Sequence, residues 1–432
     1  MLDMQKFIDS TVNKKILAIA PPVYDFAYAD LWSKPLGLLY IMEGLKAKNL
    51  VSFIDCIAFG ATGDKTFGRK KIKKMEMAKP SPYEKLQIKR RFNRFGLDEK
   101  EFLTLLNQIE EPDYILLTST MTYQYIGVQE TIRILRSCFP SSQIILGGVY
   151  ASLCYNHAKT LGADEISCHF VPSSPYPAVE FYNNPFGKEQ RLSYGVLMTS
   201  FGCPFSCEYC ASNILWKHYH RRDVVRVLKD FEYQYNLGAR DFAFYDDALL
   251  LQKEDYIFKI CRALKNTYGD TFRLHTPNGL HVRQITKETA EIFGECNFRT
   301  LRLSLESTNF EIERASSGKV ACIDYINAVK NLESVGYTPS NIETYILLGL
   351  PNQSVKSVKD TINFVKDNGG KPKLAEFSPI PGTPYFTRAC EKNPEIKTEP
   401  LLQNNSVYTA YVSKNMTPEM LQELKDMCRI IY

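Results

Sequence analysis

At 432 residues with 44% hydrophobic content, the chain is long enough for one large or two ordinary domains, each with its own core. Its 53 basic and 48 acidic residues leave a formal charge of +5, too small at this length to mark a nucleic-acid or membrane footprint, so neither partner is expected. No apolar run reaches the roughly 18 residues of a spanning helix, and twelve cysteines without a disulfide framework suit a reducing, cytoplasmic setting.

The chain opens on Met1-Leu-Asp-Met-Gln-Lys, which lacks a basic-then-apolar leader and supports the cytoplasmic expectation. Lys14-Lys-Ile-Leu-Ala-Ile-Ala20 is a short apolar run that stops at Pro21-Pro22, and residues 36–45 carry a helical pattern. Residues 51–55, 114–118 and 143–148 read as further strands, with a helix over 128–138. Continuously apolar strands separated by helices predict a parallel, doubly wound, Rossmann-like sheet over residues 1–178, with its crevice at the carboxyl ends of the strands. Those ends are the loops 21–24, 119–124 and 147–152. Two basic runs, Arg69-Lys-Lys-Ile-Lys-Lys74 and Lys89-Arg-Arg-Phe-Asn-Arg94, predict a helical insertion near 65–100 that is a solvated lid or an interaction face. Pro172-Ser-Ser-Pro-Tyr-Pro177 and Asn183-Asn-Pro-Phe-Gly187 punctuate the chain, and a linker is placed over 179–193.

From residue 194 the strand pattern resumes at 194–199, 241–245, about 272, 300–307, 344–351 and 374 onward, before a helical tail over 385–432. The first of these runs into Thr199-Ser-Phe-Gly-Cys203-Pro-Phe-Ser-Cys207-Glu-Tyr-Cys210. Thiolates at intervals of four and three residues can turn toward one centre, and soft sulfur ligands select zinc or iron–sulfur clusters. A closed zinc site wants four ligands, whereas three thiolates on a four-iron cubane leave one iron open. A zinc knuckle or unrelated cysteines are the plain alternatives.

The pattern Cys-x-x-x-Cys-x-aromatic-Cys, with Tyr209 as the aromatic, resembles the signature of the radical S-adenosylmethionine (SAM) superfamily, and the resemblance covers residues from about 194 to 384. It implies a partial (β/α)6 barrel of the TIM type with the cysteine loop at the carboxyl end of its first strand. It further implies a 4Fe-4S cluster on Cys203, Cys207 and Cys210, whose open iron chelates SAM and whose electron cleaves it to a deoxyadenosyl radical. Carried over residue by residue, Tyr209, Asp246, Asp247, Ser304, Glu306 and Gly349 are expected to contact SAM, with a helix cap as the alternative for Asp247. His275, Asn278, Arg283 and Glu376 are candidate catalytic groups, each also open to a structural role, while His281 caps or packs.

In the N-terminal half, Gly147-Gly148 followed by Ala151-Ser152 resembles the cobalamin-binding domain that precedes the radical domain in one large subfamily. Tyr24, Thr120, Gly147, Gly148 and Ser152 are then the expected cobalamin contacts, while a tight strand-to-helix turn is the structural alternative for the glycines. No Asp-x-His-x-x-Gly element follows the first strand, and Ala163-Asp-Glu-Ile-Ser-Cys-His-Phe-Val-Pro172 lacks the usual Gly-Glu-rich ending, so any cobalamin would bind without a histidine ligand. The resemblance implies a cobalamin-dependent carbon methyltransferase, with a small-molecule substrate and a reducing partner such as flavodoxin or ferredoxin. The alternatives are a cobalamin-independent radical enzyme that rearranges or couples carbon, and an iron–sulfur protein that never cleaves SAM.

Overall fold

The computed structural model describes residues 2–28, 30–182, 191–315 and 321–429. Residues 183–190 of the expected linker, with the Asn183 to Gly187 punctuation, lie outside the described residues. The chain forms two compact units: residues 1–193 with 233–239 and 397–402, and residues 194–232 with 240–396 and 403–432.

The first unit contains β1 (Lys15–Ala20), β2 (Val23–Asp25), β3 (Leu50–Asp55), β4 (Ala61–Asp64), β5 (Lys70–Ile72), β6 (Lys74–Met77), β7 (Phe92–Phe95), β8 (Tyr114–Leu117), β9 (Gln143–Leu146) and β10 (Glu165–Ile166). Its main sheet has the order β3-β1-β8-β9-β10 with every pair parallel, so the strands run 2-1-3-4-5 in order of appearance. Ile16 to Ala20 are all buried, as a strand covered by helices on both faces requires. Leu17, Ile19, Ile54, Ile115, Leu117, Ile144 and Leu146 pack with Val128, Ile132 and Leu135 from the helix Tyr125–Cys138. The strand order reverses between β1 and β8, and this is where doubly wound sheets open a crevice at their carboxyl edge.

The insertion near 65–100 holds three strands and only the short helical stretches Thr66–Gly68 and Ser81–Lys85 before Glu99, and its basic runs fall on or beside the strands, which corrects the expected helix. β6 and β2 flank β7 antiparallel, and β4 pairs with β5. Phe92-Asn-Arg-Phe95 is buried throughout, and Lys-Met-Glu-Met over β6 alternates with the period of a strand rather than of a helix. Part of the positive charge that suggested an interaction face is matched locally: Lys70 meets Asp64, Lys73 meets Asp98 and Glu101, and buried Arg94 meets Glu130.

The second unit contains β11 (Gly195–Leu197), β12 (Ser200–Phe201), β13 (His220–Arg221), β14 (Asp241–Phe244), β15 (Arg273–His275), β16 (Leu280–His281), β17 (Phe298–Glu306), β18 (Ile342–Leu348) and β19 (Lys371–Glu376). Six strands pair in parallel in the order β11-β14-β15-β17-β18-β19, each followed by a helix, and the path ends at β11 and β19, so the barrel is partial. Residues alternate between helix-covered and interior faces. Leu301 and Leu303 on β17 and Ile346 and Leu348 on β18 are fully buried, whereas Arg302 and Glu343 pair across the interior. A helical C-terminal segment ends in Pro418–Met427. Among the described residues no helix is long and apolar enough to cross a membrane.

Candidate active site

The cysteine loop leaves the barrel at the carboxyl end of β11 and is anchored there by Asp246, at the carboxyl end of the neighbouring β14. Asp246 accepts from the Thr199 amide (3.0 Å) and hydroxyl (2.6 Å) and from the Ser200 amide and hydroxyl (both 2.6 Å). Burial pushes its carboxyl pKa up against the opposing pull of these bonds. The Tyr256 hydroxyl lies 2.7 Å from the Thr199 carbonyl oxygen and 2.6 Å from that of Arg222. Gly202 has φ +76°, and a Cβ there would sit 3.1 Å from the His218 carbonyl oxygen, so only glycine turns the chain into the loop without strain. Asp246, expected to meet SAM, thus accepts four bonds from the loop's own base, three on Oδ1 and one on Oδ2.

Cys203 and Cys207 are buried and Cys210 is half-buried. The Cys210 amide donates to the Cys207 carbonyl at 3.1 Å, which closes the last turn of the loop. The Cys210 Sγ lies 3.3 Å from the Ser212 hydroxyl, and that hydroxyl donates to Asp247 at 2.8 Å. Asp247 thus stands beside the thiols, where Asp246 does not. Burial, with the nearby Asp247 and Cys207, pushes the Cys210 thiol pKa up, and hydrogen bonds from Ser212 oppose this.

Across the loop, Tyr209 lies close enough to Glu306 and Cys207 for their charges to act on its phenol. Burial first, then Glu306 and Cys207, push this phenol far above its ordinary range, so it stays protonated and acts as a donor. Glu306 is 8% exposed, its φ is +69°, and it sits where the β17 to β18 register shifts. Its Oε2 is buried without a hydrogen-bond partner. A strained backbone holding an unsatisfied carboxylate oxygen is costly, and it marks a site shaped for a donor from outside the chain.

Among the described residues no three His, Cys, Asp or Glu side chains converge as they would on one metal ion. A cubane asks for a different arrangement, with one thiolate per iron, so its three sulfurs stand around a cluster rather than around a point. Three thiols on one loop, no carboxylate ligand set and an unpartnered Glu306 oxygen nearby fit a three-cysteine cluster with a ligand carrying hydrogen-bond donors.

Several expected residues lie elsewhere. His275 is fully buried, with Nδ1 at 2.9 Å from the Thr300 hydroxyl and Nε2 at 3.1 Å from Asp241, which also takes two bonds from Arg273. Both ring nitrogens are thus engaged by the protein's own groups. Arg283 pairs with Asp324 at the surface, and Glu376 pairs with Lys425. Glu376 is in register with buried Leu348 and hence on the helix-covered face, not the inward one. Asn278 donates to the carbonyls of Tyr245 and Asp246, which holds the end of β14. Ser304 is covered by Gly279, where a Cβ would fall 2.0 Å from its hydroxyl oxygen. Gly349 has φ +89°, and a Cβ there would lie 1.9 Å from the Thr409 hydroxyl, so its glycine serves the C-terminal segment.

In the first unit, Tyr24 donates to Glu130 at 2.8 Å, Thr120 to Gln124 at 2.5 Å and Ser152 to the Gly148 carbonyl at 2.9 Å. Gly148, at φ +94°, abuts the Ser119 backbone, where a Cβ would meet the carbonyl oxygen at 2.2 Å; packing alone explains it. Gly147 is not crowded: a Cβ there would meet only the Ser167 carbonyl, at 3.5 Å. The edge beside it exposes Met121 and Val149, at 54% and 37%. Sequence reasoning missed Gly127, whose helix presses within 1.9 Å of the Pro22 carbonyl oxygen by the same measure, and it missed Ser212. No spacing rule links Ser212 to Asp247, 35 residues away.

Residues 197–365 match the sequence profile of the Radical SAM superfamily. That span of the chain is similar to a radical SAM domain. An uncharacterized methyltransferase of Pyrococcus horikoshii is 24% identical over 226 residues, which are 52% of this chain and 48% of the relative. The chain thus spans about half the length of that relative. A threonylcarbamoyladenosine tRNA methylthiotransferase of Thermotoga maritima is 22% identical over 68% of this chain and 76% of its own. Among solved structures, the radical SAM methyltransferase TsrM of Kitasatospora setae with cobalamin and a [4Fe-4S] cluster superposes with TM-score 0.59 at 12% identity, over 88% of this chain and 78% of TsrM. At that identity the likeness is one of fold. A radical SAM domain implies a 4Fe-4S cluster and SAM, and the three cysteines and Glu306 lie within the matched span.

Proposed function

We propose that this chain is a radical SAM enzyme that transfers a methyl group to carbon with the help of cobalamin. The observation that carries the radical step is the three-cysteine loop, with Glu306 close to its Tyr209 and one buried carboxylate oxygen of Glu306 left without a hydrogen-bond partner. When bound on Cys203, Cys207 and Cys210, the cluster supplies the electron that cleaves SAM to a deoxyadenosyl radical. Glu306 accepts from the SAM amine, Ser212 and Asp247 steady the Cys210 side of the loop, and Asp246 holds the loop's base.

The cobalamin part rests on the carboxyl edge of the first unit's sheet. The 2-1-3-4-5 order opens a crevice there, and uncrowded Gly147 with exposed Met121 and Val149 offers an apolar, side-chain-poor surface suited to a flat macrocycle. Cobalamin, when bound, supplies the methyl group. TsrM and the Pyrococcus relative are both described as methyltransferases, which supports the same reading.

A second reading, radical chemistry without cobalamin, is favoured by the internal hydrogen bonds of Tyr24, Thr120 and Ser152 and by the packing role of Gly148. The test is anaerobic reconstitution with iron and sulfide, followed by deoxyadenosine release from SAM by the parent and by Cys207→Ala. Corrinoid retained after gel filtration is read from its visible spectrum. Release by the parent alone, with about one corrinoid held per chain, is expected. Release without corrinoid selects the second reading, and equal release by parent and variant refutes both.

A further inference from the structure

The inward face of β17, β18 and β19 carries more positive than negative charge. Glu376 lies on the helix-covered face, so Lys371 and Lys373, at odd spacing from it, lie on the inward one with Glu343 and Tyr345, their partners in register. Glu343 presents a single oxygen, Oε2, to two cations: the Arg302 Nε at 2.9 Å and the Lys373 Nζ at 3.1 Å. Burial pushes the Glu343 carboxyl pKa up, but Lys373 and Arg302 outweigh this and hold it below the usual range, so it stays ionised. Asp241, the acid of β14, is already matched by Arg273 and His275, and Glu306 stands at the carboxyl end of β17, beyond Arg302. Two cations therefore share one carboxylate with Lys371 level beside it, and a half-buried surplus of positive charge is costly unless an anion joins it.

The two cations are not equivalent. Arg302 is 5% exposed and fully engaged: its Nε donates to Glu343, and its Nη1 lies 2.9 Å from the Tyr345 hydroxyl and 3.3 Å from the Pro277 carbonyl oxygen. The Tyr345 hydroxyl donates in turn to that carbonyl at 2.9 Å, which fixes the arginine in place. The Lys373 side chain is 36% exposed, and of its three N–H donors one goes to Glu343, with no other acceptor among the described residues. An ion pair that served the fold alone would need only Arg302. On the radical reading given above, we propose that the substrate is a small molecule with an acidic group, carboxylate or phosphate, and that Lys373 receives this group inside the barrel while Arg302 keeps Glu343 paired. Lys373 lies three residues before the carboxyl end of β19, roughly 10 Å deep at about 3.3 Å per residue. An acid held there leaves the rest of the molecule to extend toward the strand ends, where the cysteine loop leaves β11.

The test is calorimetric titration of the reconstituted, full-length protein with inorganic phosphate and, separately, with malonate at matched ionic strength. It is run on the parent, Lys373→Met, Lys373→Arg and the surface control Lys356→Met, whose lysine is exposed and pairs with Asp360. Iron and sulfide are counted in each. The parent is expected to bind at least one of the two anions at millimolar concentration, and the better-bound one tells phosphate from carboxylate. Binding should weaken about tenfold in Lys373→Met, which keeps an unbranched stem and removes the charge. It should stay within about twofold of the parent in Lys373→Arg and Lys356→Met. The thermal unfolding midpoint of Lys373→Met should equal or exceed that of the parent, because Glu343 keeps Arg302 and a half-buried cation is gone.

Equal affinity in the parent and Lys373→Met, or no anion bound by the parent, overturns the assignment and leaves the radical reading intact. A fall in the Lys373→Met midpoint without loss of anion binding makes the lysine a structural partner of Glu343 and overturns it as well. Anion binding that depends on Lys373 in a protein that loads no iron supports the acid site and refutes the radical reading alone, so the two fail separately.

Discussion

Replacing Asp246 with alanine tests whether the base of the cysteine loop is held as described. The carboxylate is buried and accepts four hydrogen bonds, two from backbone amides and two from hydroxyls, all at the residues that launch the loop. The Thr199 and Ser200 hydroxyls can rotate toward other acceptors, but their amides cannot. Two buried amides left unsatisfied cost about 1–3 kcal/mol each, and relief of the carboxylate's own desolvation returns part of that. A net local loss of about 3 kcal/mol follows, equivalent to roughly a hundredfold change in an opening equilibrium at about 1.4 kcal/mol per decade. Hydrogen exchange of residues 199–210 in Asp246→Ala is therefore expected to speed up by about that factor, while the first unit's β1 and β8 keep their protection. Iron bound after reconstitution should fall in step. Unchanged exchange over the loop together with full iron loading would refute the anchoring role and restore Asp246 as a ligand-binding candidate.

Burial pushes Asp241 up, but Arg273 and His275 outweigh it and hold its carboxyl below the usual range. A depressed acid adds stability above its unfolded value of about 3.9 and loses it as pH falls through the folded value. The urea midpoint of the parent should therefore drop more steeply between pH 6 and pH 3 than that of Asp241→Asn, and parallel curves would refute the pairing. Gly349→Ala combines a left-handed φ with a 1.9 Å clash at Thr409 and is expected to destabilise by more than about 1 kcal/mol. Thr409→Ala in the same chain should recover only the clash, as read from the shift in unfolding midpoint. Arg283→Ala breaks a surface pair with Asp324 and should change stability by no more than about 0.5 kcal/mol, with SAM cleavage unaltered. A large loss of deoxyadenosine release would return Arg283 to the site.

Local pattern carried much of the architecture. Apolar runs such as Lys14 to Ala20 are strands because a parallel sheet covered on both faces buries every residue, and this is visible in one dimension. The cysteine spacing is equally local, since one loop supplies all three thiols. Where periodicity and charge pointed different ways, as in residues 70–95, charge misled: the alternation of β6 was the better guide, and Lys70 and Lys73 had found acids nearby.

The side-chain assignments were a different matter. Asp246 and Asp247 are adjacent and chemically identical, yet one pins backbone and the other reaches Ser212 beside Cys210. His275 and Glu376 both looked like site residues at strand ends. Which groups face the interior, and which find a partner first, depends on strand parity, a register shift at Glu306 and helices more than 30 residues away in the chain. The sequence alone pointed to the three-cysteine loop and to the alternation of strands and helices, because short-range spacing encodes both. Only the tertiary structure decided which polar groups remain unsatisfied and available to a ligand, because hydrogen-bond satisfaction is settled between residues far apart in the chain.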